Sequence, residues 1–251
     1  MGGSFQVDSQ RPLAGSLQPE LAVNMAMSAD GRVASASREW LGFSSDADHR
    51  RLLNIRTRYD AIVCGARTVD TQPFTLDSGG EAYRRMRRRH GLREDPIRVI
   101  VSPSGSLDPN AAVFQSPGGP IVVVVDSSSS PRAHSLLSER ADALWTLPDG
   151  DGMGAAILHR LSSEYGVDRV LLEGGPRLNE LFFRLGLVDR LFLTICPVLV
   201  CGANAPGIAD GLGAASLQEA FRMVFRSAQR CGDEVFLELT RKEKGEPSGS
   251  P

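Results

Sequence analysis

The chain has 251 residues, 41% apolar and 23% charged, which supplies one sizeable core and argues against a disordered or fibrous protein. Its 28 Lys and Arg against 30 Asp and Glu leave a formal charge of −2, so nothing pulls the whole molecule toward nucleic acid or an acidic membrane. Apolar runs such as 121–125 fall far short of the roughly 18 to 20 residues that cross a bilayer, so no membrane partner is expected.

In chain order, residues 1–19 are rich in Gly, Ser, Gln and Pro. They lack the charged start, apolar centre and small-residue cleavage site of a secretory signal, which predicts a loose N-terminal segment on a cytoplasmic protein. Strand-like apolar runs then alternate with segments of helical period. The strands are LAVNMAM near 21, DAIVCG near 60, IRVIVS near 97, PIVVVVD near 120, ALWTL near 143 and DRVLLEGG near 168. Helices are predicted over 45–57, 131–139, 152–165 and 176–185, where apolar residues recur at three and four. That rhythm predicts an α/β domain over 20–241 with a largely parallel sheet. After Asp189 come RLFLTICPVLV and then two strand-like runs joined around Cys231, Gly232 and Asp233, an antiparallel hairpin by its short Gly-containing connection. Residues 242–251 are polar and read as a second loose tail.

Cys64, Cys196, Cys201 and Cys231 have no CxxC spacing, and His49, His90, His134 and His159 are scattered; the thiols read as small hydrophobes and no catalytic metal is expected. Three segments carry candidate chemistry. In DRVLLEGGPRLNELFFRLG a buried-type strand ends at Glu173 and passes through Gly174 and Gly175 into a helix with Pro176 and Arg177 at its start. Glycines admit close backbone approach, and free N–H groups at a helix start favour phosphate; the same letters also suit a plain tight turn. In YDAIVCGARTVDTQPF another strand meets Gly65 and then Thr68, whose hydroxyl suits a second phosphate. Open α/β sheets bind ligands beyond the carboxyl ends of their strands, so both turns point at one crevice. In NMAMSADGRVASASREW, Ser28, Asp30 and Arg32 follow the first strand; they suit a polar substrate or an ordinary turn. The run YRRMRRRHG at 83–91 reads as a solvated helix face rather than a nucleic-acid grip, with a phosphate contact from one of its arginines as a further option.

Taken in order, MAMSADGRVA, the Trp40 region, RYDAIVCGARTV, PIRVIVS and LLEGGPRLNELFFRLGLVDRLFLTICPVLVCG resemble the reductase domain family of riboflavin biosynthesis. The resemblance spans roughly 20–240 and implies a dihydrofolate-reductase-like, mixed but mostly parallel sheet in a homodimer. It implies NADPH-dependent reduction of the ribosylamino group of a pyrimidine 5′-phosphate to ribitylamino. By matched position it implies cofactor contacts from Gly65, Thr68, Ser102, Gly174, Gly175, Pro176 and Arg177. It implies catalytic roles for Asp30 and Glu173, and substrate contacts from Ser28, Arg32, Trp40 and Arg56, the last for the phosphate. The family's Asp four residues after the threonine is replaced by Gln72, and FTLDSGGEAYRRMRRRH stands where a short loop is expected. Those departures leave a same-fold reductase of a pterin or specialised heterocycle as the alternative, with a non-catalytic nucleotide-binding protein behind it. No HxE with PCxxC zinc-deaminase signature is present, which predicts a stand-alone reductase.

Overall fold

A computed structural model describes residues 18–39, 42–71 and 73–242. In chain order the elements are β1 (Glu20–Ser28), α1 (Asp46–Arg56), β2 (Ala61–Gly65), α2 (Ala66–Thr71), α3 (Glu81–Arg89), β3 (Ile97–Val101), α4 (Ala112–Gln115), β4 (Ile121–Asp126) and α5 (Pro131–Ser138). They continue as β5 (Ala143–Leu147), α6 (Asp151–Tyr165), β6 (Arg169–Leu172), α7 (Pro176–Arg184), β7 (Arg190–Cys196), β8 (Met223–Cys231) and β9 (Glu234–Arg241). One nine-stranded sheet takes the order β5-β4-β3-β2-β6-β1-β7-β9-β8. Pairs from β5 across to β7 are parallel, and only β7–β9 and β9–β8 are antiparallel. The mixed, mostly parallel sheet with a terminal hairpin is the expected fold; the short helices α2 and α4 carried too little apolar period to be foreseen.

Alternation along the strands divides the core. Leu21, Val23, Val63, Val99 and Val124 face α6 and α7 through Ile157, Leu161 and Phe182. Ile62, Cys64, Ile100 and Val123 face Val69, Val113 and Leu137 on the other side, while Ala22, Leu171 and Phe192 pack under Ile55 and Tyr59 at the end of α1. Covering both faces with helices explains why the central strands read as unbroken apolar runs. Cys64 is buried, and burial pushes its thiol up to about 12, so it packs rather than reacts.

The arginine run forms α3, and Arg85, Arg88 and Arg89 are solvated as expected. Arg87 departs from that expectation, being fully buried. Its Nη1 donates to the carbonyls of Arg56 and Tyr59 and its Nε to that of Arg93. The carbonyls at a helix end lack intrahelical donors, and a cation there satisfies them. Arg87 thus closes the C-terminal end of α1.

One register detail opens the site. β1 pairs with β6 only from Glu20↔Arg169 to Val23↔Leu172, yet β1 runs on to Ser28 against β7. Beyond Val23 its other edge has no strand beside it, because the chain leaves β6 into α7 there.

Candidate active site

A cleft of about 800 Å³ occupies that gap, over the C-terminal ends of β1, β2, β3, β4 and β6. The two glycine-bearing turns meet on its floor: Gly65 N donates to Gly174 O at 2.9 Å. Gly174 holds φ +91°, and a Cβ on Gly175 would sit 2.9 Å from Thr68 Oγ1, so side chains would spoil both the turn and the contact. The Gly174–Gly175 peptide is cis. Gly175 caps α7 without a side-chain hydrogen bond, and Pro176 begins the helix. The leading amides of α7 are therefore not spent on a capping side chain.

Gly65, Thr68, Ser102, Glu173, Gly174, Gly175, Pro176 and Arg177 all line the cleft. Arg67 joins Arg177 as a cation there, and Asp126 at the end of β4 marks the far side. A glycine cradle, an open helix start, hydroxyls and two guanidiniums in one cleft are a donor set that fits a pyridine dinucleotide.

Glu173 reaches the cleft with both oxygens already engaged. Arg56 donates from Nε to Oε1 at 2.7 Å and from Nη2 to Oε2 at 2.6 Å, and its Nη1 donates to Asp77 O at 2.8 Å. Arg56 was expected at the substrate phosphate; instead it is 4% exposed and does not line the cleft. A forked guanidinium suits carboxylate and phosphate alike, and here the carboxylate lies within the chain. The pair ties the turn after β6 to the end of α1.

Ser28, Asp30 and Arg32 likewise lie outside the cleft lining. Asp30 accepts from Ser28 Oγ at 2.6 Å, Val200 N at 3.0 Å and Cys201 N at 2.8 Å. These donors, the Ser28 hydroxyl first, hold its carboxyl down at about 2, so it stays ionised near neutrality and is spent as an acid. Arg32 Nη1 donates to Ala205 O at 2.7 Å. The turn after β1 thereby pins the 198–206 segment, and Val33, Ala34 and Pro206 form cleft wall behind it. Trp40 and Gln72 lie outside the described residues, as do 1–17 and 243–251.

The wall facing the glycines was not foreseen. It comprises Arg38, Phe43 and Ser44 from the segment before α1 and Asp48, His49 and Leu52 from α1 itself. The letters SSDAD announce only a helix start, with a serine cap and acids in the first turn, and that local role hid Asp48.

Residues 19–237 match the RibD C-terminal domain family. This chain belongs to that family. As a RibD C-terminal domain it is 29% identical over 229 residues to the 2,5-diamino-6-ribosylamino-4(3H)-pyrimidinone 5′-phosphate reductase of Methanothermobacter thermautotrophicus, covering 90% of this chain and 100% of that one. Two solved structures share the fold. A pyrimidine reductase-like protein of Corynebacterium diphtheriae superposes with TM-score 0.74 at 20% identity, over 90% of this chain and 93% of that one. RibD of Acinetobacter baumannii gives TM-score 0.73 at 21% identity over 90% of this chain, which spans 59% of the longer protein. Among the described residues of this RibD C-terminal domain no helix is long and apolar enough to cross a membrane.

Proposed function

We propose that this protein is a cytoplasmic NADPH-dependent reductase that converts the ribosylamino group of a pyrimidine 5′-phosphate to a ribitylamino group. What carries the reading is the meeting of the Gly65–Thr68 and Glu173–Arg177 turns on the floor of one cleft, in a chain that matches a named reductase along its full length. The coenzyme, when bound, supplies the hydride.

The chain's own residues bind and orient. Gly65, Thr68, Ser102, Gly174, Gly175, Pro176 and Arg177 would hold the dinucleotide, the glycines by admitting it to the backbone and the others by hydrogen bond and charge. Glu173, gripped by Arg56, keeps the turn in place, and Asp30 keeps the opposing 198–201 segment in place. The ring-opened sugar is an imine at its first carbon. Hydride adds to that carbon and a proton to the nitrogen, giving the amine, so the cleft has to align two partners and admit one proton. With Arg56 consumed, Arg38 from the segment before α1 and His49 of α1, both lining the cleft, are the groups for the substrate's phosphate. Arg38 has φ +65° and lines the cleft, and its guanidinium can fork two phosphate oxygens.

A homodimer belongs to the same reading. β8 is the sheet's outer edge, its residues are largely exposed and Phe225 is 66% exposed, a surface that a second copy would cover. Light scattering should give twice the chain mass.

Mixing purified protein with NADPH and the ribosylamino-pyrimidinone phosphate tests the activity. Stoichiometric oxidation of the nicotinamide with formation of the ribityl product is expected. Saturable NADPH binding without turnover would reject the substrate, and no binding at all would reject the reading.

A further inference from the structure

The first half of α1 is placed by polar ties more than by apolar packing. Among the buried residues of this helix, the apolar pair Leu53 and Ile55 lies toward its end, while those nearer its start are Asp48 and Arg51. A half-helix whose inward face is polar sits where its hydrogen-bond partners hold it. The last residue of α1, Arg56, is held separately by Glu173.

Ser45, Asp48 and Arg51 stand three apart, so they share one face of the helix. That face is tied to β7 and β9. Thr194 Oγ1 on β7 donates to Asp48 Oδ1 at 2.6 Å and receives Arg51 Nη1 at 2.9 Å, while Arg51 Nη2 donates to Leu237 O on β9 at 2.7 Å. The outermost tie is Glu234, the first residue of β9. It is 5% exposed and does not line the cleft. Its Oε1 accepts from Ser45 N at 2.8 Å and its Oε2 from Ser45 Oγ at 2.6 Å, and Cys196 Sγ donates to Oε1 at 3.5 Å.

The hydrogen-bond directions give Glu234 its role. Ser45 is the N-cap of α1, and its hydroxyl has one proton, which goes to Glu234. The lone pairs of Oγ are therefore turned to the helix, where they receive Ala47 N at 3.2 Å and Asp48 N at 3.3 Å. A carboxylate beside a helix start also meets the positive end of its dipole. Ser44 on one side of the cap, and His49 and Leu52 on the other, line the cleft.

We infer that Glu234 is a positioning residue for the pyrimidine substrate: by fixing where α1 begins, it fixes where Ser44, His49 and Leu52 stand in the cleft. The inference rests on the reductase reading above for the identity of that substrate. Glu234 acts through Ser45 and touches no reacting atom. The glycine turns lie on the opposite wall and are tied to the other end of α1, so the coenzyme's place does not depend on Glu234. Loss of this tie therefore weakens the use of one partner and spares the other, a split that general loss of folding would not produce.

The test uses Glu234→Gln, Ser45→Ala and the double variant. An amide at 234 offers one oxygen where the carboxylate offers two, so one of the two Ser45 donors faces an N–H. Ser45 is exposed, so Ser45→Ala keeps the question open even if Glu234→Gln does not fold. Each single variant should lower kcat/KM for the ribosylamino-pyrimidinone phosphate about tenfold, mainly through KM, as expected for a displaced binding wall. NADPH affinity should stay within about twofold of the wild type in the same proteins. The double variant should be no worse than the more severe single one, because both break the same contact. Amide exchange at Ala47 and Asp48 should accelerate in each variant, with the amides of Gly65 and Glu173 unchanged. An unaltered kcat/KM in folded Glu234→Gln, equal losses for substrate and NADPH, additive losses in the double variant, or unaltered exchange at Ala47 and Asp48 overturns the inference. A wild type that binds NADPH but neither binds nor reduces the pyrimidine, with exchange at the cap still released by Glu234→Gln, fails the reductase reading and upholds the hold of Glu234 on the wall.

Discussion

The two walls of the cleft are made of different material. The glycine wall, from the ends of β2 and β6, is backbone: Gly65 and Gly174 bond to each other, Gly175 abuts Thr68, and one ion pair locks the whole turn. The α1 wall is side chains held from afar, with Asp48 fixed by Thr194, 146 residues away along the chain. A backbone site must be written locally, because only glycine fits such contacts. A side-chain site is written wherever its partners happen to fold, and carries no local mark.

That contrast can be broken at several points. The largest effect is expected from Arg56→Ala, which strands the buried Glu173 carboxylate and should cost about 3–5 kcal/mol in urea denaturation, collapsing the glycine wall through stability. Arg38→Ala should leave the urea midpoint unchanged yet raise KM for the phosphorylated substrate about 10- to 100-fold, as expected for a lost charge-assisted hydrogen bond; an unchanged KM would move the phosphate elsewhere. Gly174→Ala forces a side chain into φ +91° with its Cβ 3.3 Å from Met25 Sδ. NADPH affinity in a fluorescence titration should weaken about tenfold, a cost of about 1.4 kcal/mol.

Asp30 gives the smallest and most local effect. Its folded value of about 2 lies below the roughly 3.9 of an unfolded aspartate, so its brace is fully present above about pH 4 and lost as pH falls through about 2. Amide exchange at Val200 and Cys201 should accelerate in Asp30→Asn at neutral pH, with the glycine-wall amides unaffected. Equal protection in mutant and wild type would show that the 198–201 segment is held by other contacts.

How much was legible divides along the same line. The strand order of burial, the terminal hairpin and the two glycine turns follow from patterns a few residues long. Arg56 and Arg87 were misplaced because a guanidinium's letters are the same whether it meets phosphate, carboxylate or a helix end; the buried Glu173 and the carbonyls of Arg56 and Tyr59 decided between them. Asp30 drew attention as an acid beside a glycine, but the amides of Val200 and Cys201 that consume it lie some 170 residues on.

By itself the sequence determined a parallel sheet with glycine-bearing strand ends, since apolar period and backbone sterics are local properties. Only the tertiary structure decided which carboxylates face the cleft and which are held by other groups. Whether a polar side chain is free to act depends on the donors packed around it, and the fold brings those from distant strands.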